Sequence, residues 1–176
     1  MSYEIRALGE DDGCNALSLG NPAFAPLKAF LRKEAKKLHR ENVARTFVLV
    51  EKGATRVWAY VTTLCTQVSV EQLGQPNLVD GFRYKDFPAI KVARLAVDSA
   101  MQGQGIGPQL LDFVIGFAAD NVMPFTGCRF LIVDSKPESV SFYERKGFSK
   151  IGAESGGEQT LTPMYLDLHR LTSAND

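Results

Sequence analysis

The 176-residue sequence lacks the features that mark membrane, secreted and zinc-binding proteins. No apolar run approaches the roughly 20 residues of a membrane-spanning helix, and residues 1–10 lack the apolar stretch of a signal peptide. The three cysteines, Cys14, Cys65 and Cys128, are odd in number and form no C-x-x-C pair, so neither a disulfide framework nor a zinc site is indicated. We therefore expect a cytoplasmic protein without a bound metal and without a membrane partner.

The chain also lacks net charge, because 20 Lys and Arg residues balance 20 Asp and Glu residues. A molecule of this kind does not act as a polycation, so nucleic acid is not expected as a general partner and any basic surface must be local. One segment is strongly basic, and we call it the basic face: Lys28, Arg32, Lys33, Lys36, Lys37 and Arg40. We interpret it as the solvated side of an amphipathic helix in preference to a ligand-binding patch.

Strand and helix patterns alternate with short connections, and the length suits one domain over residues 1–176. Helical spacing of apolar residues predicts helices over 27–38, 106–118 and 137–146. The expected fold is α/β (α+β), a mixed and mostly antiparallel sheet of about six or seven strands flanked by helices. Alternating or β-branched segments predict the strands Tyr3–Ala7, Thr46–Glu51, Arg56–Val70, Val92–Val97, Arg129–Val133, Phe148–Ile151 and Leu161–Leu168.

Several local expectations accompany this fold. Val92–Val97 is apolar except for Arg94, which is typical of a strand buried on both faces. Residues 73–86 contain three glycines or prolines and little periodicity, which predicts a loop. Asp134 and Ser135 are placed to cap the helix that begins at Pro137. A polar turn at residues 156–157 is expected between the last two strands.

The sharpest motif follows the apolar strand and reads Gln102-Gly103-Gln104-Gly105-Ile106-Gly107. Three glycines at alternate positions remove side chains where the chain enters a helix, so that several N–H groups converge near the positive end of the helix dipole. That geometry binds phosphate. A Walker loop is excluded because no Gly-Lys-Ser/Thr follows, and a dinucleotide fingerprint is excluded because Pro108 stands where its third glycine belongs.

Gln102-x-x-Gly105-x-Gly107 after a strand resembles the pyrophosphate loop of the GNAT superfamily of N-acetyltransferases. The resemblance implies acetyl-CoA (coenzyme A) as the cofactor. It implies that the backbone of Leu95, Ala96 and Val97 pairs with the pantetheine arm. It also implies that the pyrophosphate is held by Gln102, Gly103, Gln104, Gly105, Ile106 and Gly107. Pro108, which has no N–H, supplies one donor fewer than another residue would.

A second motif, Ser141 to Phe148, resembles the family's helix that presents a tyrosine and ends at Gly-Phe. The resemblance implies Tyr143 as the general acid, since a phenol of pKa about 10 can donate to a thiolate whose conjugate acid has a pKa of about 8.5. A backbone N–H near Val97 would meet the oxyanion on the same basis. The family's frequent asparagine at the start of this helix is absent, and residues 134–136 read Asp-Ser-Lys.

No general base stands out, although Asp98, Glu71 and Glu41 stay open as bases acting through a water. Deprotonation at pH 7 costs about 4.6 kcal/mol for a lysine amine but only about 1.4 kcal/mol for an α-amine. A site without a strong base therefore favours an α-amine acceptor. The lone histidines His39 and His169 are interpreted as structural.

The sequence thus predicts an acetyl-CoA-dependent N-acetyltransferase that acts on a primary amine by direct attack. Residues 45–48, 94–98, 103–107 and 142–143 also resemble the acetyltransferase toxins of bacterial toxin–antitoxin pairs, which implies the α-amine of aminoacyl-tRNA as an alternative acceptor. A non-catalytic module that binds acyl-CoA is a third interpretation. The acceptor, the oligomeric state (a homodimer included) and an antitoxin partner stay open.

Overall fold

The computed structural model describes residues 2–152 and 161–173. The strands are β1 Tyr3–Ala7, β2 Arg45–Glu51, β3 Val57–Ser69, β4 Asp86–Val97, β5 Phe130–Ser135, β6 Ser149–Lys150 and β7 Thr162–Asp167. The helices are α1 Ala25–Lys33, α2 Ala35–Arg40, α3 Val70–Leu73, α4 Ile106–Phe117, α5 Val140–Arg145 and α6 Leu168–Ser173.

The seven strands form one sheet in the order β1-β2-β3-β4-β5-β7-β6. β4 and β5 run parallel, with Ala89 opposite Phe130. The pairs β1/β2, β2/β3, β5/β7 and β6/β7 are antiparallel. The prediction of a mixed, mostly antiparallel sheet of six or seven strands with helices is therefore confirmed.

By its internal contacts the chain divides into two compact units. The first comprises Met1–Leu64 and Ala93–Val114, and the second comprises Cys65–Val92 and Ile115–Asp176. The expectation of a single domain over residues 1–176 stays a prediction.

In the first unit, α1 and α2 lie on one face of the strands. Phe30 and Leu31 of α1 are buried in a cluster with Val48 of β2 and Tyr60 of β3. The Tyr60 hydroxyl donates to the carbonyl of Leu27 at 2.7 Å, which satisfies the one polar group of a side chain that is otherwise fully buried. The opposite face carries α4. Phe47 precedes Val48 on β2, so its side chain points to the other side of the sheet, where its ring meets that of Phe113 of α4 edge-on.

The core of the second unit is aromatic. Phe87 of β4 stacks on Phe82 with ring centroids 4.2 Å apart and meets Phe130 of β5 edge-on at 5.4 Å. Phe130 in turn contacts Tyr165 of β7 at 5.8 Å. These contacts join the parallel β4/β5 pair to the antiparallel β5/β7 pair.

The helices differ from the sequence-based expectation at their ends. The helix expected over 27–38 is interrupted at Glu34, which separates α1 from α2. Within the predicted helix over 137–146, Pro137–Ser139 forms a 3₁₀ turn and only Val140–Arg145 is α-helical. The predicted caps are wrong, because Lys136 occupies the cap position, the Asp134 carboxylate pairs with Lys91, and the Ser135 hydroxyl donates to the Lys136 carbonyl.

The strands differ in two ways. β4 begins at Asp86, six residues before the predicted start at Val92, and a one-turn helix, α3, enters the predicted loop with a capping box between Ser69 and Gln72. The prediction that Val92–Val97 is buried on both faces is wrong, since Leu95 and Val97 are only half-buried. The turn expected at residues 156–157 lies outside the described residues.

Helix lengths bear on membrane insertion. Among residues 2–152 and 161–173, the structure contains no helix with the length and apolar character needed to cross a bilayer.

One buried ion pair anchors the segment after β1. The Asp12 side chain is 2% exposed and accepts from both terminal nitrogens of Arg6, at 2.8 and 2.7 Å, and from the N–H of Gly9 at 2.7 Å. Burial by itself would raise the pKa of Asp12, but the Arg6 hydrogen bonds, the Gly9 N–H and the Arg6 charge together lower it below the ordinary value.

Asp12→Asn is expected to lower the free energy of unfolding by about 1 to 2 kcal/mol at pH 7, a discounted figure because Arg6 is partly exposed. Because the folded-state pKa lies below the unfolded value, the wild-type advantage is present above about pH 4 and is lost as the pH falls below it. Urea denaturation of both proteins between pH 3 and 8 measures the difference. A gap that stays constant over this range would contradict the assignment.

Candidate active site

The glycine-rich loop between β4 and α4 contains two residues with left-handed backbone. Gly103 has φ +75° and Gly105 has φ +77°, a region that costs a residue with a Cβ about 1 to 2 kcal/mol. A Cβ built on either glycine would meet no atom within 4 Å. The glycines are therefore required by the path of the backbone, and the space beside them is open.

The N–H groups of this loop are free to bind an anion. Within the described part of the chain, the amides of Gly103, Gln104 and Gly105, which precede α4, donate to no protein acceptor. α4 begins at Ile106, and its first helical hydrogen bond runs from the N–H of Gln109 to the carbonyl of Gly105 at 3.1 Å. Unpaired amides at the positive end of a 12-residue helix fit a diphosphate, the group that coenzyme A presents.

The two glutamines of the motif brace the loop through their side chains. The Gln102 Nε2 donates to the carbonyl of Val97 at 3.1 Å. The Gln104 Nε2 donates to the carbonyl of Ala100 at 3.0 Å. Both bonds run back toward β4, so what Gln102 and Gln104 offer a diphosphate is their backbone.

Asp98 is the anchor of the loop, a role that the sequence analysis missed. Its side chain is 2% exposed, and its two oxygens accept from the N–H groups of Ser18, at 2.9 Å, and Ala100, at 3.0 Å. The backbone N–H of Asp98 donates to the carbonyl of Trp58 at 2.8 Å. A buried carboxylate with both oxygens engaged positions the chain and is poorly suited to be a base. An aspartate directly after a strand and before Ser99 was the available signal, since that arrangement caps a turn.

The residues expected to face the pantetheine arm lie at the end of β4. Ala96 is buried in the cluster that contains Phe30 and Tyr60. Leu95 and Val97 point to the other face by strand alternation and are half-buried. A strand end that is not fully covered suits an extended ligand that pairs with its backbone.

Tyr143 lies on α5 in the second unit and is 6% exposed. Its ring meets Phe142 edge-on at 4.9 Å and Phe148 at 5.4 Å. Burial raises the pKa of Tyr143 to about 12. Its hydroxyl makes no hydrogen bond to the described residues.

The end of α5 holds Tyr143 in place. Gly147 has φ +89°, and a Cβ there would lie 3.4 Å from Cδ1 of Leu166, so only glycine fits without adjustment. The N–H of Phe148 then donates to the carbonyl of Tyr143 at 3.1 Å. The prediction that Gly147 terminates this helix is confirmed.

The other side chains considered from sequence are structural or exposed. His39 accepts from the N–H of Thr46 through Nδ1 at 3.1 Å, and burial is the main cause that lowers its pKa. Glu71 and Glu41 are exposed, and Glu41 lies 3.7 Å from Arg40. Of the residues described, no group of three or more His, Cys, Asp or Glu side chains is arranged to hold a metal ion.

Comparison with known proteins identifies the family. The family model for the acetyltransferase (GNAT) domain matches residues 78–168, just over half of the chain. The chain belongs to the GNAT family of acetyltransferases. It is therefore an acetyl-CoA-dependent N-acetyltransferase, as the sequence analysis predicts.

One relative and two solved structures illustrate the relationship. A protein of Mycobacterium tuberculosis named tRNA-acetylating toxin is 32% identical over 142 residues, which cover 78% of this chain and 79% of that protein. The structure of AtaT complexed with acetyl-methionyl-tRNAfMet has a TM-score of 0.83 at 21% identity and covers 99% of this chain and 100% of that one. A tyrosine-to-phenylalanine variant of AtaT, bound to the C-terminus of the antitoxin AtaR and to acetyl-CoA, has a TM-score of 0.76 at 19% identity, with 98% of each chain covered. At these identities the two structures establish the fold.

The predicted site residues fall into two groups. Leu95, Ala96 and Val97 are continuous with Gln102–Gly107, and all of them lie in the first unit together with Asp98. Tyr143 lies in the second unit. Their roles toward acetyl-CoA stay predictions.

Gly105→Ala is expected to weaken acetyl-CoA binding by about tenfold or more, because a Cβ at φ +77° is strained and forces the loop backbone to relax, which moves its amides. Gly53→Ala is the matched control, since Gly53 has φ +80° and equally no neighbour within 4 Å but lies in the turn between β2 and β3. Calorimetric titration with acetyl-CoA measures the affinity, and thermal unfolding measures the strain that both variants share. Equal acetyl-CoA affinities in the two variants would show that the glycine-rich loop is not part of the binding site.

Proposed function

We propose that this enzyme transfers the acetyl group of acetyl-CoA to the α-amine of aminoacyl-tRNA, with Tyr143 as the general acid. The observation that carries the proposal is the 32% identity to a tRNA-acetylating toxin over 78% of the chain. Two features of the structure support it, namely the distribution of basic residues on α1 and α2 and the engagement of Asp98, the carboxylate next to the loop, by two backbone N–H groups.

The basic face offers cations that the protein itself leaves unused. In the part of the chain that the structure describes, Lys28, Arg32, Lys33 and Lys37 make no ion pair or side-chain hydrogen bond. The other two members are occupied, since Lys36 donates to the carbonyl of Glu10 and Arg40 lies 3.3 Å from the Glu10 carboxylate. The inner side of the same helices is apolar and buried. A protein without net charge thus carries a local surface that suits RNA phosphates.

The choice of acceptor amine rests on the expectation that the site has no strong base. Asp98 is buried and both of its oxygens accept backbone N–H groups, so we assign it to holding the loop. An enzyme with no strong base works best on an amine that is already partly neutral, and an α-amine of pKa about 8 meets that need at a cost about 3 kcal/mol lower than a lysine amine.

The chemistry requires one bond to form and one to break. The neutral amine attacks the thioester carbonyl, and the tetrahedral intermediate collapses as the C–S bond breaks. The Tyr143 hydroxyl donates to the departing sulfur, and the proton that nitrogen loses passes to the Tyr143 oxygen, so that coenzyme A leaves as a thiol and the phenol is regenerated. Because full transfer from a phenol of pKa about 12 to a thiolate of pKa about 8.5 is uphill, the hydrogen bond strengthens as charge develops on sulfur.

The proposal extends to location and partner. Aminoacyl-tRNA is a cytoplasmic substrate, so we place the enzyme in the cytoplasm. The AtaT toxin binds an antitoxin, and we propose a protein partner of that class for this chain, with tRNA as its nucleic-acid substrate.

The direct experiment supplies purified enzyme with labelled acetyl-CoA and total aminoacyl-tRNA. Acetylated aminoacyl-tRNA is the expected product, and deacylated tRNA is the negative control because it has no amine of this type. Free amino acids, polyamines and peptides with lysine serve as competing acceptors. Efficient acetylation of one of these with no label on aminoacyl-tRNA would overturn the proposal.

Tyr143→Phe is expected to lower kcat by about 10²-fold or more, with the acetyl-CoA affinity changed less than about threefold. The matched control is Tyr165→Phe, also in the second unit, whose hydroxyl is already bonded to Gln75. The wild-type kcat should rise with pH as the amine loses its proton and should not fall again below about pH 10, because the phenol stays protonated at a pKa of about 12. A wild-type turnover that survives in the Phe variant would exclude Tyr143 from the reaction.

A further inference from the structure

Arg94 is a cation in β4 that the protein leaves without an anionic partner. Within residues 2–152 and 161–173 no carboxylate forms an ion pair with it, although the side chain is half-buried. Its guanidinium carbon lies 3.8 Å from the centroid of the Phe30 ring. A cation–π contact of this kind stabilises the charge only in part.

Two other arginines of the first unit, Arg6 and Arg56, do have an acidic partner. Arg6 pairs with the buried Asp12 at 2.7 Å. Arg56 stacks over Trp58 at 3.6 Å and also lies 3.9 Å from the carboxylate of Asp98. Arg94 has the aromatic contact without the acid. Since an unpaired cation that is partly removed from water is disfavoured, the arrangement points to an anion that arrives with a substrate.

The position of Arg94 relates it to the acceptor. By strand alternation Arg94 shares a face with Ala96, which is buried among Phe30 and Tyr60. This is the side of the strands that carries α1 and the basic face, opposite to α4. The guanidinium is close enough to Tyr60 for its charge to act against burial, the larger effect, which raises the pKa of that hydroxyl.

We propose that Arg94 binds the last phosphodiester of the acceptor's 3′ end, next to the aminoacyl group. The inference rests on the proposed function, in which Leu95–Val97 pair with the pantetheine arm and aminoacyl-tRNA is the acceptor. Arg94 immediately precedes those residues, and its planar fork of donors suits the paired oxygens of a phosphodiester. In aminoacyl-tRNA that phosphodiester lies one nucleoside away from the reacting amine, so Arg94 is a specificity-determining residue that positions the acceptor.

The test uses two acceptors that differ by a single phosphodiester. One is an amino acid esterified to adenosine, and the other is the same amino acid esterified to the adenosine of the dinucleotide cytidylyl-adenosine. For the wild-type enzyme, kcat/KM should be at least tenfold higher for the dinucleotide. In Arg94→Gln this preference should fall to less than about twofold, mainly through KM. Because the comparison is made within each enzyme, a partial loss of folded protein cancels.

Two further variants define the origin of the effect. Arg94→Lys retains the charge without the planar fork and should recover part of the preference. Lys52→Gln removes one positive charge from the turn between β2 and β3 and should leave the preference intact. Thermal unfolding and acetyl-CoA affinity of Arg94→Gln are expected to stay close to wild type.

The outcomes separate the two proposals. If the wild type acetylates aminoacyl-tRNA but Arg94→Gln loses activity equally on both small acceptors, Arg94 is structural and this inference alone is overturned. A wild type that does not discriminate between the two acceptors has the same consequence. If the wild type instead acetylates only free amino acids, so that Arg94 would be meeting a carboxylate, the proposed function and this inference fail together.

Discussion

The structure around the glycine-rich loop depends on the buried carboxylate of Asp98. By accepting from Ser18 and from Ala100, it ties the end of β4 to a distant segment and to the start of the loop at the same time. The loop that follows has two left-handed glycines, and its amides have no acceptor among the described residues. Few interactions of its own hold this conformation, so it depends on the bonds of Asp98 at its start. The carboxylate thus fixes the entry to the loop that we predict to hold the diphosphate.

Charge distribution is the second organising feature. The formal net charge is zero, which argues against a general affinity for nucleic acid, but that sum averages over the whole surface. The structure divides the cations into those that the fold occupies, such as Arg6 and Lys36, and those on α1, α2 and β4 that have no ion-pair partner among residues 2–152 and 161–173. Only the second group can contribute to binding, since a cation that is already paired has little further attraction for phosphate.

Much of the fold and the loop could be predicted from sequence because both have short-range signals. Alternating apolar residues and the Gly103–Gly107 spacing report local backbone geometry directly, and Gly147 stops its helix for the same reason. What the sequence could not reveal depends on contacts across long separations. The anchor from Asp98 to Ser18 spans 80 positions. The expected cap at Asp134 is lost because its carboxylate pairs with Lys91 of β4, a partner from another element.

The raised pKa of Tyr143 and the engagement of Asp98 lead to one account of proton transfer. A phenol with a pKa of about 12 is a poor donor of a free proton but a persistent donor of a hydrogen bond, and Asp98, whose oxygens are both bonded to backbone N–H groups, is poorly placed to deprotonate a strongly basic amine. Both limits point to an acceptor that arrives nearly neutral, so that nitrogen becomes acidic only after attack and can supply the proton that sulfur requires. On this account the enzyme positions the acceptor and donates a hydrogen bond that strengthens as charge develops on sulfur. The proton itself comes from the amine of the substrate. Selection among amines then depends on groups that recognise the rest of the acceptor molecule. The unpaired cations on one side of β4 are suited to this recognition.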